Sequence, residues 1–231
     1  MRSNQEWDNL FLIDFFGSMK TKTMESSHII KGLYAITPDE TDTEKLLHQI
    51  ELIHSGGCRL LQYRNKKLAL SALIDQAEQV KELCNRLNMT LIINDNVDIC
   101  CNLDADGVHL GENDDTIETA REKLGADKIV GLSCYNSIER VKLAIEKKID
   151  YVALGAFFPT QTKPNASQVS LEFLSQVKTM CPLPVVAIGG ITINNASILI
   201  RHKVDAIAVI NGLFGTQNMT DMTTNFTKLF V

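Results

Sequence analysis

From about residue 32 onward, the hydrophobic positions of this chain fall into short continuous runs separated by segments of helical periodicity. Continuous runs are typical of parallel strands covered on both faces, whereas a strand with one wet face alternates apolar and polar residues. The runs predict these strands: Leu33–Thr37, Arg59–Arg64, Thr90–Asn94, Asp106–Leu110, Ile129–Ser133, Tyr151–Gly155, Pro184–Gly189 and Asp205–Asn211.

Between the runs, apolar residues recur at intervals of three and four, which predicts amphipathic helices. The clearest of them are Glu44–His54 and Ser137–Lys148. Gly56 and Gly57 follow the first helix and are expected to end it. Asn136 and Glu139 resemble a capping box at the start of the second. Strands and helices therefore alternate along almost the whole chain.

This alternation predicts an α/β protein with a single (β/α)8 barrel over residues 29–231. An open doubly wound sheet is the second interpretation, because a strand count does not prove closure. Residues 1–28 do not fit the repeat and are expected to form an irregular N-terminal extension. A frayed arm, a helix over the bottom of the barrel and an over-long translation start all remain open for them. Leu10–Phe16 is a poor signal peptide, since it is short and contains Asp14.

Composition narrows the classes of function. The formal net charge of −5 provides no general basic field, which disfavours nucleic-acid binding. No stretch approaches the roughly 20 apolar residues that a membrane span needs. The six cysteines show neither a CxxC pair nor zinc-ligand spacing, so reduced packing thiols in a cytoplasmic protein are expected. A homo-oligomer remains open.

Polar groups follow the predicted strands, whose carboxyl ends share one rim in a barrel, where an active site is expected. Gln62, Arg64 and Lys66 alternate and therefore face the same side. Asp95 and Asp114 near these cations indicate Mg2+ bound by one or two carboxylates, water and substrate phosphates. Other strand ends contribute hydroxyl, amide, ammonium or flexible backbone groups: Asn94, Ser133, Thr160, Thr162, Lys163, Gly189, Gly190 and Asn211.

Each of these residues also has a purely structural interpretation. Asp95 could cap the helix that begins near Asn96. His109 lies inside an apolar run, so a packed, hydrogen-bonded histidine is favoured over a catalytic base. Arg64 and Lys66 could form a solvated strand end. Because polar groups end strand after strand, a phosphate-binding site is the better explanation of the whole set.

Seven motifs, in this order, resemble the thiamine-phosphate synthase family over roughly residues 33–215. They are QYRNK at 62–66, ND at 94–95, ADGVHLGEND at 105–114, GLS at 131–133, GAFFPTQTK at 155–163, AIGGI at 187–191 and the weaker AVING at 208–212. The resemblance implies a barrel transferase that joins hydroxymethylpyrimidine diphosphate to a thiazole monophosphate. It also implies Mg2+ as the cofactor, the two small-molecule substrates as partners, and pyrophosphate and thiamine phosphate as products.

The resemblance further implies a role for each matching residue. Catalytic groups would be Arg64, Lys66, Ser133 and Lys163. Contacts to the pyrimidine diphosphate would come from Gln62, Tyr63, Arg64, Asn65, Lys66, Asn94, Ser133 and Lys163, with Tyr34 lining the pocket. Asp95 and Asp114 would bind Mg2+. The thiazole phosphate would be surrounded by Thr160, Gln161, Thr162, Gly190, Ile210 and Asn211.

Three residues depart from the family pattern. Glu112 replaces a glutamine that is usual in the family, Tyr135 replaces a frequent histidine, and Asn211 replaces a common serine. None of these changes removes an expected metal ligand or cation. A dissociative substitution needs no general base, which agrees with the absence of a Ser/His/Asp or Cys/His arrangement. A thiazole tautomerase-like barrel and a non-catalytic phosphate-ligand binding protein are the alternatives.

Overall fold

The computed structural model describes residues 29–112, 114–160 and 168–231, so the expected extension over residues 1–28 lies outside the described residues. Its strands form a closed barrel in which each strand pairs in parallel with its neighbours in the chain, and the last pairs with the first. Closure confirms the (β/α)8 barrel over the open sheet. The strands are β1 Gly32–Ile36, β2 Leu60–Tyr63, β3 Thr90–Asn94, β4 Gly107–Leu110, β5 Ile129–Tyr135, β6 Tyr151–Leu154, β7 Val185–Ile188 and β8 Ala206–Val209.

A helix follows each strand within the part of the chain that the structure describes. The helices are α1 Thr43–Ser55, α2 Leu70–Leu87, α3 Val97–Asn102, α4 Ile117–Leu124, α5 Ile138–Glu146, α6 Leu171–Met180, α7 Ala196–Arg201, α8 Asn211–Phe214 and α9 Met219–Lys228. Side chains that accept hydrogen bonds from free backbone N–H groups cap several of them. None of the described helices is long and apolar enough to cross a membrane.

Two local predictions can be compared with the structure. Helix α1 ends at the expected glycines, with Gly57 in a left-handed conformation (φ +100°) and its N–H donating to the His54 carbonyl. The cap of α5 was predicted wrongly. Ser137, not Asn136, accepts the hydrogen bond from the Arg140 N–H, and it also binds the Glu139 carboxylate. The shorter serine side chain reaches both groups from the residue next to the helix.

The core has two layers, which follow from the alternation of side chains along each strand. Outward residues such as Leu33 and Ala35 pack against the helices in the larger cluster. Inward residues such as Tyr34 and Ile36 fill the barrel. Five of the cysteines are buried among these apolar groups, and burial raises the pKa of the Cys58 thiol to about 11. The thiols are therefore packing groups, as predicted.

Candidate active site

A cavity of about 460 Å3 opens at the carboxyl ends of the strands. Inward residues such as Ala153, Val186 and Ala208 form apolar parts of its wall, and polar groups follow the strand ends. Its size lies in the range typical of small-molecule sites. The predicted site residues that line it are Tyr34, Gln62, Arg64, Asn94, Ser133, Thr160, Gly190, Ile210 and Asn211.

Side chains of five strands form a chain of hydrogen bonds across the cavity. The Gln62 amide nitrogen donates to the Tyr34 hydroxyl over 2.8 Å, and that hydroxyl lies 2.9 Å from the Tyr151 hydroxyl. The Tyr151 hydroxyl lies 2.9 Å from His109 Nδ1, and His109 Nε2 lies 2.9 Å from the Ser133 hydroxyl. The prediction that His109 is packed and hydrogen-bonded is confirmed.

Burial keeps both tyrosines of this chain protonated. It raises the pKa of Tyr34 and of Tyr151 far above the usual value for tyrosine, so each hydroxyl has one proton to donate and an oxygen that accepts. The Gln62 amide is the fixed donor at one end. Each of the next three contacts joins groups that can donate or accept, so the Ser133 hydroxyl is coupled to Tyr34 through Tyr151 and His109.

The loop after β1 holds the basic turn after β2 in place. The Asp39 carboxylate accepts hydrogen bonds from the Arg64 guanidinium over 2.8 Å and from the Lys66 N–H over 2.7 Å. The Thr37 hydroxyl binds both backbone groups of Arg64, its N–H over 2.8 Å and its carbonyl over 2.7 Å. Arg64 is consequently fixed on the wall of the cavity.

Tyr63 and Asn65, which were predicted to contact substrate, point away from the cavity into the helix layer. The Tyr63 hydroxyl donates to the Gln76 side-chain oxygen over 3.0 Å. The Asn65 amide donates to the same oxygen over 3.1 Å and to the Glu40 carbonyl over 2.7 Å. Alternation along β2 explains this placement, because neighbours of inward residues face outward. Their side chains support the turn rather than line the cavity.

The predicted metal ligands Asp95 and Asp114 meet beside this turn, and Lys66 contacts Asp95. Burial works to raise the pKa of Asp95, but hydrogen bonds with Asp114 and Lys66 outweigh it and lower that pKa. Burial and then the contact with Asp95 raise the pKa of Asp114, so the two carboxyls compete for one proton. Asp95 does not cap α3, since Asn96 accepts the capping hydrogen bond.

At the opposite wall, two glycines bring backbone close to the loop after β6. Gly189 and Gly190 have φ values of +101° and +62°, and a Cβ on Gly190 would lie 2.3 Å from the Pro159 carbonyl oxygen. Only glycine fits there. The Asn195 amide fixes the Gly190 carbonyl over 3.0 Å. The predicted contacts Gln161, Thr162 and Lys163 lie outside the described residues.

The structure also places the three residues that depart from the family pattern. Tyr135 and Asn211 line the cavity, and Asn211 begins α8. Glu112 is exposed at the rim. Sequence reasoning missed Tyr151, because a tyrosine opening an apolar run was taken as core. Alternation along β6 places Tyr151 inside the barrel together with Tyr34 and His109, and this shared inward position could have indicated a hydrogen bond between them.

A closed barrel with a cavity at its carboxyl rim, lined by Arg64, Gly189 and Gly190 and flanked by paired carboxylates, defines the class of phosphate-ligand barrel enzymes. The family model described as "Thiamine monophosphate synthase" matches residues 33–213. The chain therefore belongs to the thiamine monophosphate synthase family.

Individual relatives agree with the family model. The thiamine-phosphate synthase of Methylobacillus flagellatus is 45% identical over 208 residues, covering 90% of this chain and 99% of the relative. That of Nitrosomonas eutropha is 41% identical over 201 residues, covering 87% and 95%. The solved thiamine phosphate pyrophosphorylase from Pyrococcus furiosus superposes with a TM-score of 0.78 at 31% identity, covering 87% of this chain and 96% of that one.

Proposed function

We propose that this chain is a thiamine-phosphate synthase. It joins the diphosphate of 4-amino-2-methyl-5-hydroxymethylpyrimidine to 4-methyl-5-(2-phosphoethyl)thiazole and releases pyrophosphate. The observation that carries the proposal is one cavity with two different walls, in a member of this family. One wall offers amide, hydroxyl and cationic side chains beside paired carboxylates. The other offers glycine backbone and the start of a short helix.

The pyrimidine diphosphate occupies the first wall. Gln62, Asn94 and Ser133 present hydrogen-bonding groups to the cavity and suit the amino group and ring nitrogens of the pyrimidine. Arg64 and Lys66 stand beside them and face the diphosphate. Lys163 keeps its predicted role at the pyrophosphate. Asn65 acts through the turn that it supports, whereas the Tyr63 hydroxyl binds Gln76 in the helix layer and has no direct part in binding.

Mg2+ fits beside Asp95 and Asp114. Within the described residues no three His, Cys, Asp or Glu side chains form a metal-binding group, but Mg2+ needs only one or two carboxylates with water and substrate phosphates. The two carboxyls already compete for one proton, so a positive charge is favoured between them. When bound there, the metal would neutralise the charge that develops on the departing pyrophosphate.

The thiazole phosphate occupies the second wall. Gly190, Ile210 and Asn211 line the cavity after the ends of β7 and β8, where backbone N–H groups would suit a phosphate, and Thr160 lines the same cavity from the segment after β6. Thr162 and Gln161 follow Thr160 in sequence and keep their predicted role there. Asn211 replaces the serine common in the family, but its backbone N–H offers the same donor.

The reaction follows from this arrangement. The bond between the pyrimidine methylene carbon and the diphosphate oxygen breaks, and pyrophosphate leaves with the bonding electrons. Arg64, Lys66 and Lys163 stabilise that charge as it develops. The thiazole nitrogen then attacks the cationic methylene carbon with its lone pair. No proton moves in this bond formation, so the permanently protonated Tyr34 and Tyr151 serve as fixed dipoles and not as bases.

The proposal is tested with purified protein, both substrates and Mg2+, in a buffer in which circular dichroism shows a folded chain. Thiamine phosphate and pyrophosphate are expected in equal amounts, and omission of either substrate should abolish thiamine phosphate. A thiazole tautomerase would convert its thiazole phosphate without pyrophosphate release. A binding protein would give heat in calorimetry and no product. With no transmembrane helix in the described residues, a cytoplasmic location is part of the proposal.

A further inference from the structure

Arg140, which no motif singles out, reaches from helix α5 to the ends of two neighbouring strands. Its Nε donates to the Ser133 carbonyl over 2.8 Å. Its Nη2 donates to the Gly111 carbonyl, just beyond β4, over 3.2 Å. Its guanidinium carbon lies 5.5 Å from the centre of the Tyr135 ring. One planar cation therefore joins three residues of the rim, a geometry that arginine provides and lysine does not.

An irregularity in β5 lies beside this side chain. The pairing of β5 with β6 shifts between Ser133 and Tyr135, which leaves one extra residue in β5. Tyr135 adopts the left-handed conformation with φ +53°, which is uncommon for an aromatic residue. Such a conformation persists where the surroundings hold it. Here its ring lies against the guanidinium, a favourable contact between a cation and an aromatic face.

Both segments that Arg140 touches carry a predicted functional group. The Gly111 N–H donates to the Asp114 carboxylate over 2.6 Å, while the Gly111 carbonyl accepts from Arg140. The Ser133 carbonyl accepts from Arg140, while the Ser133 hydroxyl binds His109. The Arg140 side chain therefore connects the segment that holds the Asp114 carboxylate to the residue that carries the Ser133 hydroxyl.

We propose that Arg140 is a positioning residue that sets the separation between the Asp114 carboxylate and the Ser133 hydroxyl, with Tyr135 holding its guanidinium in place. This inference rests on the proposed function, in which both groups act on one pyrophosphate: Asp114 through the metal and Ser133 directly. Groups that act together on one ligand lose much of their effect when their spacing changes by about 1 Å. The Tyr135–Arg140 pair is how this chain accommodates tyrosine where the family often has histidine.

The test compares Arg140→Ala, Arg140→Lys and the control Arg121→Lys. Arg121 is also half-buried on the neighbouring helix α4, and its guanidinium donates to the Lys128 carbonyl and the Asp150 carboxylate. Those partners adjoin the amino-terminal ends of the strands, away from the cavity. Each variant is measured for the Mg2+ concentration that gives half-maximal activity, for KM of both substrates, and for melting temperature. Binding of Mn2+ in the presence of pyrophosphate, measured by electron paramagnetic resonance, adds a readout independent of turnover.

The expected result is that both Arg140 variants weaken Mn2+ binding and raise the Mg2+ requirement by about tenfold, the effect of losing a group that orients a metal ligand. KM for the thiazole phosphate should stay within about twofold, because Arg140 contacts only the other wall. Arg121→Lys should lower only the melting temperature. Lysine keeps the positive charge but cannot donate to both carbonyl groups from one planar guanidinium, so Arg140→Lys should not restore metal binding.

Wild-type metal dependence in Arg140→Lys, or equal changes in Arg140→Ala and Arg121→Lys, would overturn the inference. If the unaltered chain binds Mn2+ with pyrophosphate but forms no thiamine phosphate, the proposed function fails. The Mn2+ comparison among the variants then still decides the role of Arg140. Absence of Mn2+ binding by the unaltered chain would overturn the inference as well.

Discussion

The hydroxyl oxygens of Tyr34 and Tyr151 lie 2.9 Å apart in the interior of the barrel, on strands β1 and β6, which are separated by β7 and β8 in the sheet. Both side chains are almost completely buried, and their rings meet edge to face. This contact links Gln62 on one side to His109 and Ser133 on the other. The Ser133 hydroxyl is therefore coupled through side chains to groups on several other strands.

Tyr151→Phe should lower kcat/KM for the pyrimidine diphosphate by about tenfold. Loss of the hydroxyl removes one partner from Tyr34, which keeps Gln62, and one from His109, which keeps Ser133. An unsatisfied buried polar group costs about 1–3 kcal/mol, and the His109 ring that contacts Ser133 loses the hydroxyl that holds its other nitrogen. Steady-state kinetics with each substrate varied in turn will check this.

Tyr63→Phe is the matched control for that variant. It removes a tyrosine hydroxyl from the same barrel, but one that binds Gln76 in the helix layer. The melting temperature should fall, because one ordinary hydrogen bond contributes about 1 kcal/mol of stability. The value of kcat/KM should stay within about twofold, because this hydroxyl lies outside the cavity. Equal kinetic losses in Tyr63→Phe and Tyr151→Phe would argue against the hydrogen-bonded chain.

Asp39→Ala should raise KM for the pyrimidine diphosphate and leave KM for the thiazole phosphate unchanged. Asp39 holds the Arg64 guanidinium and the Lys66 N–H, and hydrogen bonds to charged groups contribute about 1.5–3 kcal/mol. An increase of roughly tenfold corresponds to the lower end of that range. Asp98→Ala, which removes an exposed ion pair with Lys123, provides the control and should alter neither KM.

Asp95→Ala should abolish most of the activity with Mg2+ while the chain stays folded. Asp95 lies beside the Asp114 carboxyl and contacts Lys66, so its loss removes one carboxylate of the proposed metal pair. Pyrophosphate release and circular dichroism should be measured on the same preparation. Unchanged turnover in this variant would refute the assignment of Asp95 to Mg2+.

Gly190→Ala should weaken binding of the thiazole phosphate by at least about tenfold. Its Cβ would lie 2.3 Å from the Pro159 carbonyl oxygen, so the loop after β6 must move. Gly57→Ala imposes a similar left-handed conformation at the end of α1, where the nearest atom lies 3.5 Å away. Gly57→Ala should lower the stability of the protein without changing KM. The comparison therefore distinguishes the effect of backbone strain from the effect of moving the loop after β6.

The sequence predicted much of this molecule for identifiable reasons. The continuous apolar runs set the order of the strands and favoured a barrel, but their number did not prove closure, which the pairing of β8 with β1 shows. The inward positions of Gln62 and Arg64 followed from alternation along β2. The same rule places Tyr63 outward, but motif matching had grouped it with its neighbours. Orientation of a side chain depends on its strand and not on the motif that contains it.

Other features depend on contacts between residues distant in sequence, which no local pattern encodes. The position of Tyr151 in an apolar run is typical of a core residue. In the structure its hydroxyl lies between the Tyr34 hydroxyl and the His109 ring. Arg140 looked like an ordinary exposed residue of an amphipathic helix. Its contacts with Gly111 and Ser133 join three segments that lie far apart or in different elements, next to the shift in the pairing of β5.

The most direct test of the central claim is a crystal structure of the protein with thiamine phosphate, pyrophosphate and Mg2+. Pyrophosphate is expected beside Arg64 and Lys66, with the metal between it and the carboxylates of Asp95 and Asp114. The phosphate of thiamine phosphate is expected against Gly190 and Asn211 at the opposite wall. Pyrophosphate bound far from Asp95 and Asp114, or both phosphate groups on one wall, would contradict the assignment of the two walls to two substrates.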